Sequence, residues 1–346
     1  MKLKVFPYEL ALRYPFAISR HTYYSMKTFI IQLSEGGYSG YGEATTNPYY
    51  GISEDNLLES FKEAGKIIAN LRCENPAILW EKLYSTIGSN SFSLSAIDCA
   101  AHDLYGKIRG DSFRTINHIP NLSGPLTSYT LGIGDIQEIK RKINDLEWPL
   151  YKIKTGSKND KEIIHAIRKM TKSRLRVDAN CAWNPQSALE MDAFLAANDI
   201  EFIEQPFSAD SWEESGIFKK VSILPIIADE SCQREKDVEK CLGNFDGINI
   251  KLAKCGGLTP ALRMIKHARD EKLKIMIGCM TESSIAISAA VQLLPLVDFA
   301  DLDGPLLLSE DVADGLTYSN GVIAGDQGNG LGVNFLNRKI TTLLPI

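Results

Sequence analysis

The chain has 346 residues, which is enough for two ordinary domains or for one barrel with an attached domain. Hydrophobic residues make up 44% and charged residues 23%, with a formal net charge of −5, so nothing indicates a nucleic-acid or membrane partner. The amino-terminal segment lacks a continuous apolar stretch, and seven cysteines form no C-x-x-C pair, so we expect a cytoplasmic protein with free thiols.

Residues 1–118 have the pattern of an α+β domain. The segments 29–33 and 38–44 flank the turn Glu35-Gly36-Gly37, which is typical of a β-hairpin. Three segments with apolar residues at helical spacing follow, at 55–70, 76–87 and 93–107. Strands followed by helices predict a mixed domain that could cap a second one.

Residues 119–320 have the rhythm of a barrel, because short apolar strands recur every ~22–26 residues, the length of one strand–helix unit. Asn184-Pro185 and Thr259-Pro260 each look like a helix N-cap followed by proline at the first helical position. The fold class is therefore predicted as α/β, a (β/α)7-8 TIM-type barrel whose last units are degenerate. The eight predicted strands are 128–131, 151–154, 175–178, 202–204, 226–228, 247–250, 274–277 and 299–302.

The glycine-rich segment 321–346 follows the predicted barrel. We expect this tail to pack back on the capping domain, and a low-complexity linker is the alternative interpretation.

Charged side chains are concentrated where the predicted barrel strands end. Barrel enzymes carry their catalytic residues at this end of the strands. Side chains two residues apart on a strand share a face, so Lys152 and Lys154 point the same way, as do Asp301 and Asp303. The candidate residues are Lys152, Lys154, Asp178, Asn180, Glu204, Asp229, Glu230, Lys251, Asp301 and Asp303.

Three acids end three successive strands and can converge on one point: Asp178, Glu204 and Asp229. Oxygen ligands without Cys or His favour Mg²⁺, with water and substrate completing the octahedron. A single charged residue at a strand end is usually a solvated loop residue. Acids and bases that recur at the ends of successive strands are harder to explain as solvated loop residues. Buried charges require partners, and such an arrangement provides them.

Five short motifs in order resemble the enolase superfamily, and within it the muconate-lactonizing subgroup. They are Tyr151-Lys152-Ile153-Lys154, Val177-Asp178-Ala179-Asn180, Ile203-Glu204-Gln205-Pro206, Ala228-Asp229-Glu230-Ser231 and Ile250-Lys251. The resemblance is greatest to the dipeptide epimerases, including the Ala-Glu epimerases, through Gly278-Cys279-Met280 and Asp301-Leu302-Asp303-Gly304-Pro305. It covers nearly the whole chain, from the capping domain through the tail.

This resemblance implies a Mg²⁺-dependent isomerase that inverts the α-carbon of the C-terminal residue of a dipeptide through an ene-diolate. Lys154 and Lys251, on the second and sixth strands, are the expected bases on opposite faces of that carbon. Lys152 and the metal are expected to lower the pKa of the neighbouring base. An ion pair between Lys152 and a barrel acid is the alternative. Asn180 and Glu230 are expected to orient the metal ligands or the lysines.

Asp301 and Asp303 are expected to bind the α-ammonium of the dipeptide, since two carboxylates on one face suit a cation with three donors. A turn before Gly304-Pro305 is the alternative. The substrate side chains are expected to meet the segment after the seventh strand and two capping loops, Phe16–Met26 and Thr45–Ile52. Beside the two aspartates, the candidate substrate-binding residues are Arg20, Tyr23, Tyr50, Met280 and Glu282.

The first capping loop departs from the Ala-Glu pattern. Some Glu-specific members have an arginine where Tyr23 aligns, and Arg20 belongs to a more general Phe-x-Ile-x-Arg stretch. Tyr23 and Tyr24 would form an aromatic wall, which favours hydrophobic dipeptides of the Ala-Xaa type. Lys27 could restore a preference for Glu, and Glu282 would favour a cationic side chain, so the preferred side chains stay open.

Several other activities remain alternatives. L-Ala-D/L-Glu epimerase differs only in side-chain preference. N-acylamino acid racemase, o-succinylbenzoate synthase and muconate cycloisomerase share the lysines and the metal, but their substrates lack a free ammonium for Asp301 and Asp303. A non-catalytic barrel scaffold should have lost a ligand or a lysine, and none is lost. The oligomeric state is left open, a homo-oligomer included.

Overall fold

The computed structural model describes residues 1–18, 21–325 and 328–336. Its first part contains a three-stranded antiparallel sheet in the order β1-β2-β3. The hairpin of β2 and β3 confirms the prediction from the glycine turn. The strands are β1 (Lys2–Ile18), β2 (His21–Glu35) and β3 (Tyr38–Thr45).

Strand β1 was not predicted, and the interpretation of Phe16–Met26 as a loop is wrong. Phe16 pairs with Tyr23 in register, so most of that segment is the end of a long hairpin. Pro7 and Pro15 argue against a strand in the sequence alone. They are tolerated because β1 lies at the edge of the sheet, where a missing backbone donor interrupts no inner ladder.

Helices cover one face of this sheet. Gly42 lets β3 approach α3 closely, because a Cβ built there would lie 1.9 Å from the Ala96 carbonyl oxygen. The three predicted helices are confirmed to within a few residues. The first-domain helices are α1 (Glu54–Ile68), α2 (Pro76–Ile87), α3 (Ser91–Arg109) and the short α4 (Phe113–Ile116), and a 3-10 helix spans Pro48–Tyr50.

The second part is an eight-stranded parallel sheet in sequential order. The first and last strands meet where the Ser128 backbone N–H donates to the Ala300 carbonyl oxygen at 3.3 Å, which nearly closes the sheet into a barrel. All eight predicted strands are confirmed within one or two residues at each end. They are β4 (Tyr129–Leu131), β5 (Leu150–Lys154), β6 (Arg174–Asp178), β7 (Ile200–Glu204), β8 (Ile226–Ala228), β9 (Gly247–Lys251), β10 (Lys274–Gly278) and β11 (Phe299–Asp301).

Helices surround the barrel, and the predicted cap at Asn184 is confirmed by its acceptance of the Ser187 N–H. The predicted cap at Thr259 is wrong. The helix begins at Leu258, and Asp98 of α3 accepts the Thr259 N–H instead, so the first domain caps this helix. The helices are α5 (Ile136–Asp145), α6 (Asp160–Met170), α7 (Pro185–Ala197), α8 (Trp212–Val221), α9 (Glu235–Cys241), α10 (Leu252–Cys255), α11 (Leu258–Asp270), α12 (Ser284–Val291) and α13 (Gly304–Leu307).

The described part of the tail contacts the first domain. The Phe335 ring lies 5.8 Å from that of Phe6 and 5.3 Å from that of Tyr41, and the Leu331 N–H donates to Asp103. Residues 326, 327 and 337–346 lie outside the described residues, so the boundaries of the tail stay a prediction. The strands that follow the barrel are β12 (Ala313–Asp314), β13 (Leu316–Ser319), β14 (Val322–Gly325) and β15 (Asn334–Phe335).

Two further predictions concern the cysteines and the helices. All seven cysteines are free thiols, as expected. Among the helices of the described ranges, none combines the length and the apolar character needed to cross a membrane.

Candidate active site

A cavity of about 560 Å³ lies between the carboxyl ends of the barrel strands and the first domain. Its floor is charged and its walls are mostly apolar. The residues that line it are Phe16, Tyr23, Met26, Asn47, Pro48, Tyr49, Tyr50, Thr130, Lys152, Lys154, Asn180, Asp229, Glu230, Lys251, Cys279, Met280, Thr281, Asp301, Asp303 and Leu307.

Two lysines face each other across this floor. Lys154 ends β5 and Lys251 ends β9, and these are the second and sixth strands of eight, so the two amines approach from opposite sides. Lys154 Nζ lies 2.7 Å from Asp178 Oδ2, and Lys251 Nζ lies 2.7 Å from Asp229 Oδ2. Each amine is therefore held at the edge of the same acidic cluster.

The three acids predicted as metal ligands do converge. Asp178, Glu204 and Asp229 each present one carboxylate oxygen, and these oxygens lie within 4.8 Å of one another. All three side chains are buried at the ends of β6, β7 and β8. Three hard oxygen donors at this spacing suit an octahedral Mg²⁺ with open positions for other ligands.

Lys152 occupies the centre of the floor. Its Nζ lies 2.9 Å from Asp178 Oδ2, 2.9 Å from Glu204 Oε2 and 2.7 Å from Asp301 Oδ2. The alternative interpretation of Lys152 as the partner of a barrel acid is therefore confirmed. This pairing is compatible with its position two residues before Lys154 on the same face of the strand.

The carboxylates around Lys152 and Lys251 affect the pKa of both side chains. Burial opposes the charged form, but Asp178, Asp301 and Glu204 outweigh it and hold the pKa of Lys152 well above its usual value. Asp229 likewise outweighs burial and raises the pKa of Lys251. The lowering expected for the base next to Lys152, in the presence of the metal, stays a prediction.

Carboxyl groups outnumber amines at this end of the barrel. Among the described residues four lysines face six acids, and with every group ionised one dication would neutralise the excess of two negative charges. Burial, and then the charge of Asp178, raises the pKa of Glu204 to about 7. Burial and Asp229 raise the pKa of Glu230 to about 7 in the same way. The groups counted are Lys152, Lys154, Lys251 and Lys254 with Asp178, Glu204, Asp229, Glu230, Asp301 and Asp303.

The two aspartates after the eighth strand have different surroundings. Asp301 accepts hydrogen bonds from Ser128 and pairs with Lys152, so both of its oxygens are engaged. One oxygen of Asp303 accepts the Thr130 N–H at 2.6 Å. Burial, and then Asp301, raises the pKa of Asp303 to about 7. Asp303 is thus the less compensated of the two negative groups facing the cavity.

The remaining predicted substrate residues have three different outcomes. Tyr23, Tyr50 and Met280 line the cavity. Arg20 lies outside the described residues. Glu282 is not among the cavity-lining residues, because its carboxylate turns back to accept the Met280 N–H at 2.9 Å.

Glu282 instead lies at the junction of the two domains, near Glu43 of β3. Both side chains are buried, and Glu43 accepts hydrogen bonds from Thr28, from Ser283 and from the N–H of Ala286 at the start of α12. Burial, and then the charge of Glu43, raises the pKa of Glu282 from 4.5 to about 8. The prediction failed because the loop after β10, not the strand period, sets the direction of this side chain.

Replacing Glu282 with Gln should make the protein more resistant to alkaline pH. Between pH 4.5 and 8 the folded protein binds more protons at Glu282 than the unfolded chain, so this group lowers the free energy of unfolding as pH rises. We expect Glu282→Gln to gain on the order of 1–2 kcal/mol at pH 8 and little at pH 5. Thermal unfolding at both pH values measures this, with Glu59→Gln on an exposed face as the control. A variant less stable than the parent at pH 8 alone would contradict the expectation.

Two residues that contact the acids were not predicted. Asn249 Nδ2 donates to Glu204 Oε1 at 2.8 Å, and Lys254 Nζ lies 2.5 Å from Asp229 Oδ1. Asn249 precedes Lys251 by two residues and shares its strand face, so the strand period could have found it. Lys254 is in the one-turn helix α10, and only the packing of that turn brings its side chain to Asp229.

The fold and the site define the class of (β/α)-barrel proteins with acids and lysines at the strand ends beneath a capping domain. Residues 1–115 match the family model "Mandelate racemase / muconate lactonizing enzyme, N-terminal domain", and residues 136–339 match "Enolase C-terminal domain-like". The chain belongs to this family of the enolase superfamily.

Characterised relatives span the same length. The chain is 42% identical to an L-Ala-D/L-amino acid epimerase of Flavobacterium johnsoniae, over 97% of this chain and 100% of the relative. It is 44% identical to an enzyme with the same name from Maribacter sp., over 95% and 96%. Among solved structures, the Cytophaga hutchinsonii dipeptide epimerase, complexed with Mg and D-Ala-L-Val, superposes with a TM-score of 0.94 at 25% identity, over 99% of this chain and 97% of that one.

Proposed function

We propose that this protein is a Mg²⁺-dependent dipeptide epimerase, an isomerase that inverts the α-carbon of the C-terminal residue. The observation that carries the proposal is the pair Lys154 and Lys251, which face each other across three convergent carboxylates in one cavity. The epimerase names of the full-length relatives support the same activity. A small dipeptide is the only partner that the proposal requires.

Asp178, Glu204 and Asp229 would hold the metal ion. The fit rests on their shared burial, on the spacing of their oxygens and on the excess of carboxyl groups over amines around them. When bound, Mg²⁺ would bind the substrate carboxylate and stabilise the negative charge that develops next to the α-carbon. Asn249 keeps Glu204 in place by donating to its other oxygen.

The lysines move the proton. One lysine, as the neutral amine, takes the α-proton onto its Nζ, and the opposite lysine, as the ammonium, donates a proton to the other face of the same carbon. The carbon is inverted, one proton leaves and one arrives, and no oxidation takes place. Lys152 stays paired with its three carboxylates and keeps its charge beside the substrate carboxylate.

Recognition of a free ammonium favours dipeptides over acylated amino acids. Asp303 and Asp301 both line the cavity, and Asp303 accepts the Thr130 N–H. A cationic group between them would relieve the repulsion that raises the pKa of Asp303. Racemases of acylated amino acids would leave this pair without a partner.

The walls of the cavity favour hydrophobic side chains, as in dipeptides of the Ala-Xaa type. Phe16, Tyr23, Met26, Tyr50 and Leu307 provide apolar surface there. In the described part of the chain, every charged residue that lines the cavity belongs to the strand-end cluster. Lys27 pairs with Glu54 outside the cavity, so it does not supply a receptor for a Glu side chain. We therefore expect hydrophobic residues to be preferred to Glu.

A dipeptide library incubated with the protein and Mg²⁺ in D₂O tests the proposal. We expect α-deuterium and inverted stereochemistry at the C-terminal residue, with hydrophobic Ala-Xaa dipeptides exchanging fastest and Ala-Glu slowly. Mass spectrometry and chiral chromatography measure both quantities. Acylated amino acids are the matched controls. Exchange into acylated amino acids but not into free-amine dipeptides would overturn the substrate class, and faster exchange of Ala-Glu would overturn only the side-chain preference.

A further inference from the structure

Lys254 lies behind the acidic cluster and takes no part in lining the cavity. Its side chain is fully buried, with 0% exposure. It stands in α10, the one-turn helix that follows β9 directly, three residues after Lys251. A buried ammonium outside the substrate cavity needs an explanation, because burying a charge is unfavourable unless partners compensate for it.

The surroundings of Lys254 saturate its hydrogen-bonding capacity. Nζ donates to Asp229 Oδ1 and to three main-chain oxygens, those of Asp229, Cys232 and Asn249, the last two at 3.0 Å each. An ammonium has three protons, so four acceptors leave none of them free. The Lys254 side chain is therefore held in one position by its acceptors.

The contact divides the two oxygens of Asp229 between two lysines. Lys254 forms an ion pair with Oδ1 on the side away from the cavity, and Lys251 lies 2.7 Å from Oδ2 on the cavity side. Because one oxygen is anchored, the carboxylate cannot rotate about its axis without losing that ion pair. Asp229 thus presents a defined oxygen to the floor of the cavity.

The chain keeps α10 short at this point. Gly257 has φ of 118° and packs on α3, where a Cβ would lie 2.4 Å from Asp98 Oδ2. Gly256, in the left-handed conformation, ends α10 after one turn, and Gly257 is the N-cap from which the chain enters α11. The short helix that carries Lys254 is therefore held between β9 and α3.

We propose that Lys254 is a positioning residue for the epimerase reaction: it fixes Asp229 so that one oxygen serves both the Mg²⁺ site and Lys251. The inference rests on the proposed function for the identity of the reaction. Partners of this kind, which orient metal ligands without touching the metal, typically change metal affinity or activity by 10–100-fold when removed.

Two substitutions of Lys254 test this role. Lys254→Met keeps the length of the side chain and removes its charge. Lys254→Gln keeps a neutral donor that can still bond to some of the three main-chain oxygens. Lys236→Met, at an exposed position of α9, is the matched control. Three quantities are measured: the thermal unfolding midpoint, the Mg²⁺ affinity by calorimetry without substrate, and kcat and KM at saturating Mg²⁺ on the best dipeptide.

We expect both Lys254 variants to fold and to bind Mg²⁺ about 10–100-fold more weakly, with Met weaker than Gln. At saturating Mg²⁺ kcat should fall by at least about 10-fold while KM changes by less than about threefold, since the loss lies in the reaction and not in substrate binding. Lys236→Met should match the parent protein in all three measurements.

Two results would overturn the inference. Folded variants with the metal affinity and kcat of the parent would show that Asp229 needs no support, and failure of both variants to fold would assign Lys254 to the stability of the fold. Absence of epimerisation in the parent protein would instead refute the proposed function. The calorimetric titration with Mg²⁺ alone would still test Lys254 in that case.

Discussion

Lys251→Ala should abolish epimerisation while leaving one half of the reaction intact. Lys154 and Lys251 approach from opposite sides of the floor, so we expect each to remove the α-proton from only one stereoisomer. In the variant Lys154 can still exchange the proton of its own stereoisomer with solvent, but no group remains to protonate the other face. Loss of one positioned acid–base group typically lowers the rate by about 10²–10⁴-fold.

The measurement is α-proton exchange in D₂O, started separately from each stereoisomer of a hydrophobic dipeptide. Lys154→Ala is the matched variant and should lose exchange from the opposite stereoisomer. Lys251 also pairs with Asp229, so calorimetric Mg²⁺ titration of both variants separates loss of the base from loss of the metal. Equal loss of exchange from both stereoisomers, with metal affinity intact, would rule out two bases on opposite faces.

Glu204→Gln should have two effects of opposite sign. It removes one of three convergent carboxylates. We therefore expect Mg²⁺ affinity and kcat/KM to fall by at least about 100-fold, which is more than the usual effect of removing a residue that only orients a metal ligand. The metal-free variant should nevertheless be more stable than the metal-free parent at pH 8. Burial and Asp178 raise the pKa of Glu204 to about 7, so its charged form opposes folding there.

The sign of the stability effect follows from the proton balance. Between pH 4.5 and about 7 the folded protein holds more protons at Glu204 than the unfolded chain. The free energy of unfolding of the parent protein therefore falls as pH rises through this range. Gln does not titrate, so the stability of the Glu204→Gln variant does not fall in this way. The unfolding temperature of the variant should therefore exceed that of the parent by more at pH 8 than at pH 5. Glu213→Gln on the exposed face of α8 is the control.

Two results would contradict this account. Unchanged calorimetric Mg²⁺ affinity would show that Glu204 is not a ligand. Lower stability of the metal-free variant at pH 8 would show that the pairing with Lys152, at 2.9 Å, outweighs the burial of the charge.

The strand-end residues could be predicted because a barrel strand has a simple period. Once Lys154, Asp178 and Lys251 are placed at the ends of parallel strands, their convergence follows from the closure of the sheet. The hairpin at Gly36 and Gly37 and the cap at Asn184 were readable for a similar reason, since short-range backbone rules decide them.

The failures share a different cause, which is that the deciding partner lies far away in sequence. Glu282 was expected in the cavity, but the loop after β10 turns it toward the first domain. Thr259 was expected to cap its own helix, but Asp98 supplies the cap from α3. Strand β1 was missed because its prolines are acceptable only at a sheet edge.

The sequence by itself determined the barrel, the capping domain, the three acids and the two lysines, because local periods and strand order fix which residues reach the same end. Only the tertiary structure decided how their charges are compensated. Lys152 was expected to repel Lys154, and in the structure it is surrounded by carboxylates. Nothing in the sequence singled out Lys254, which contacts Asp229 only because of the position of α10. Charge compensation depends on distances between elements, and no spacing along the chain encodes those distances.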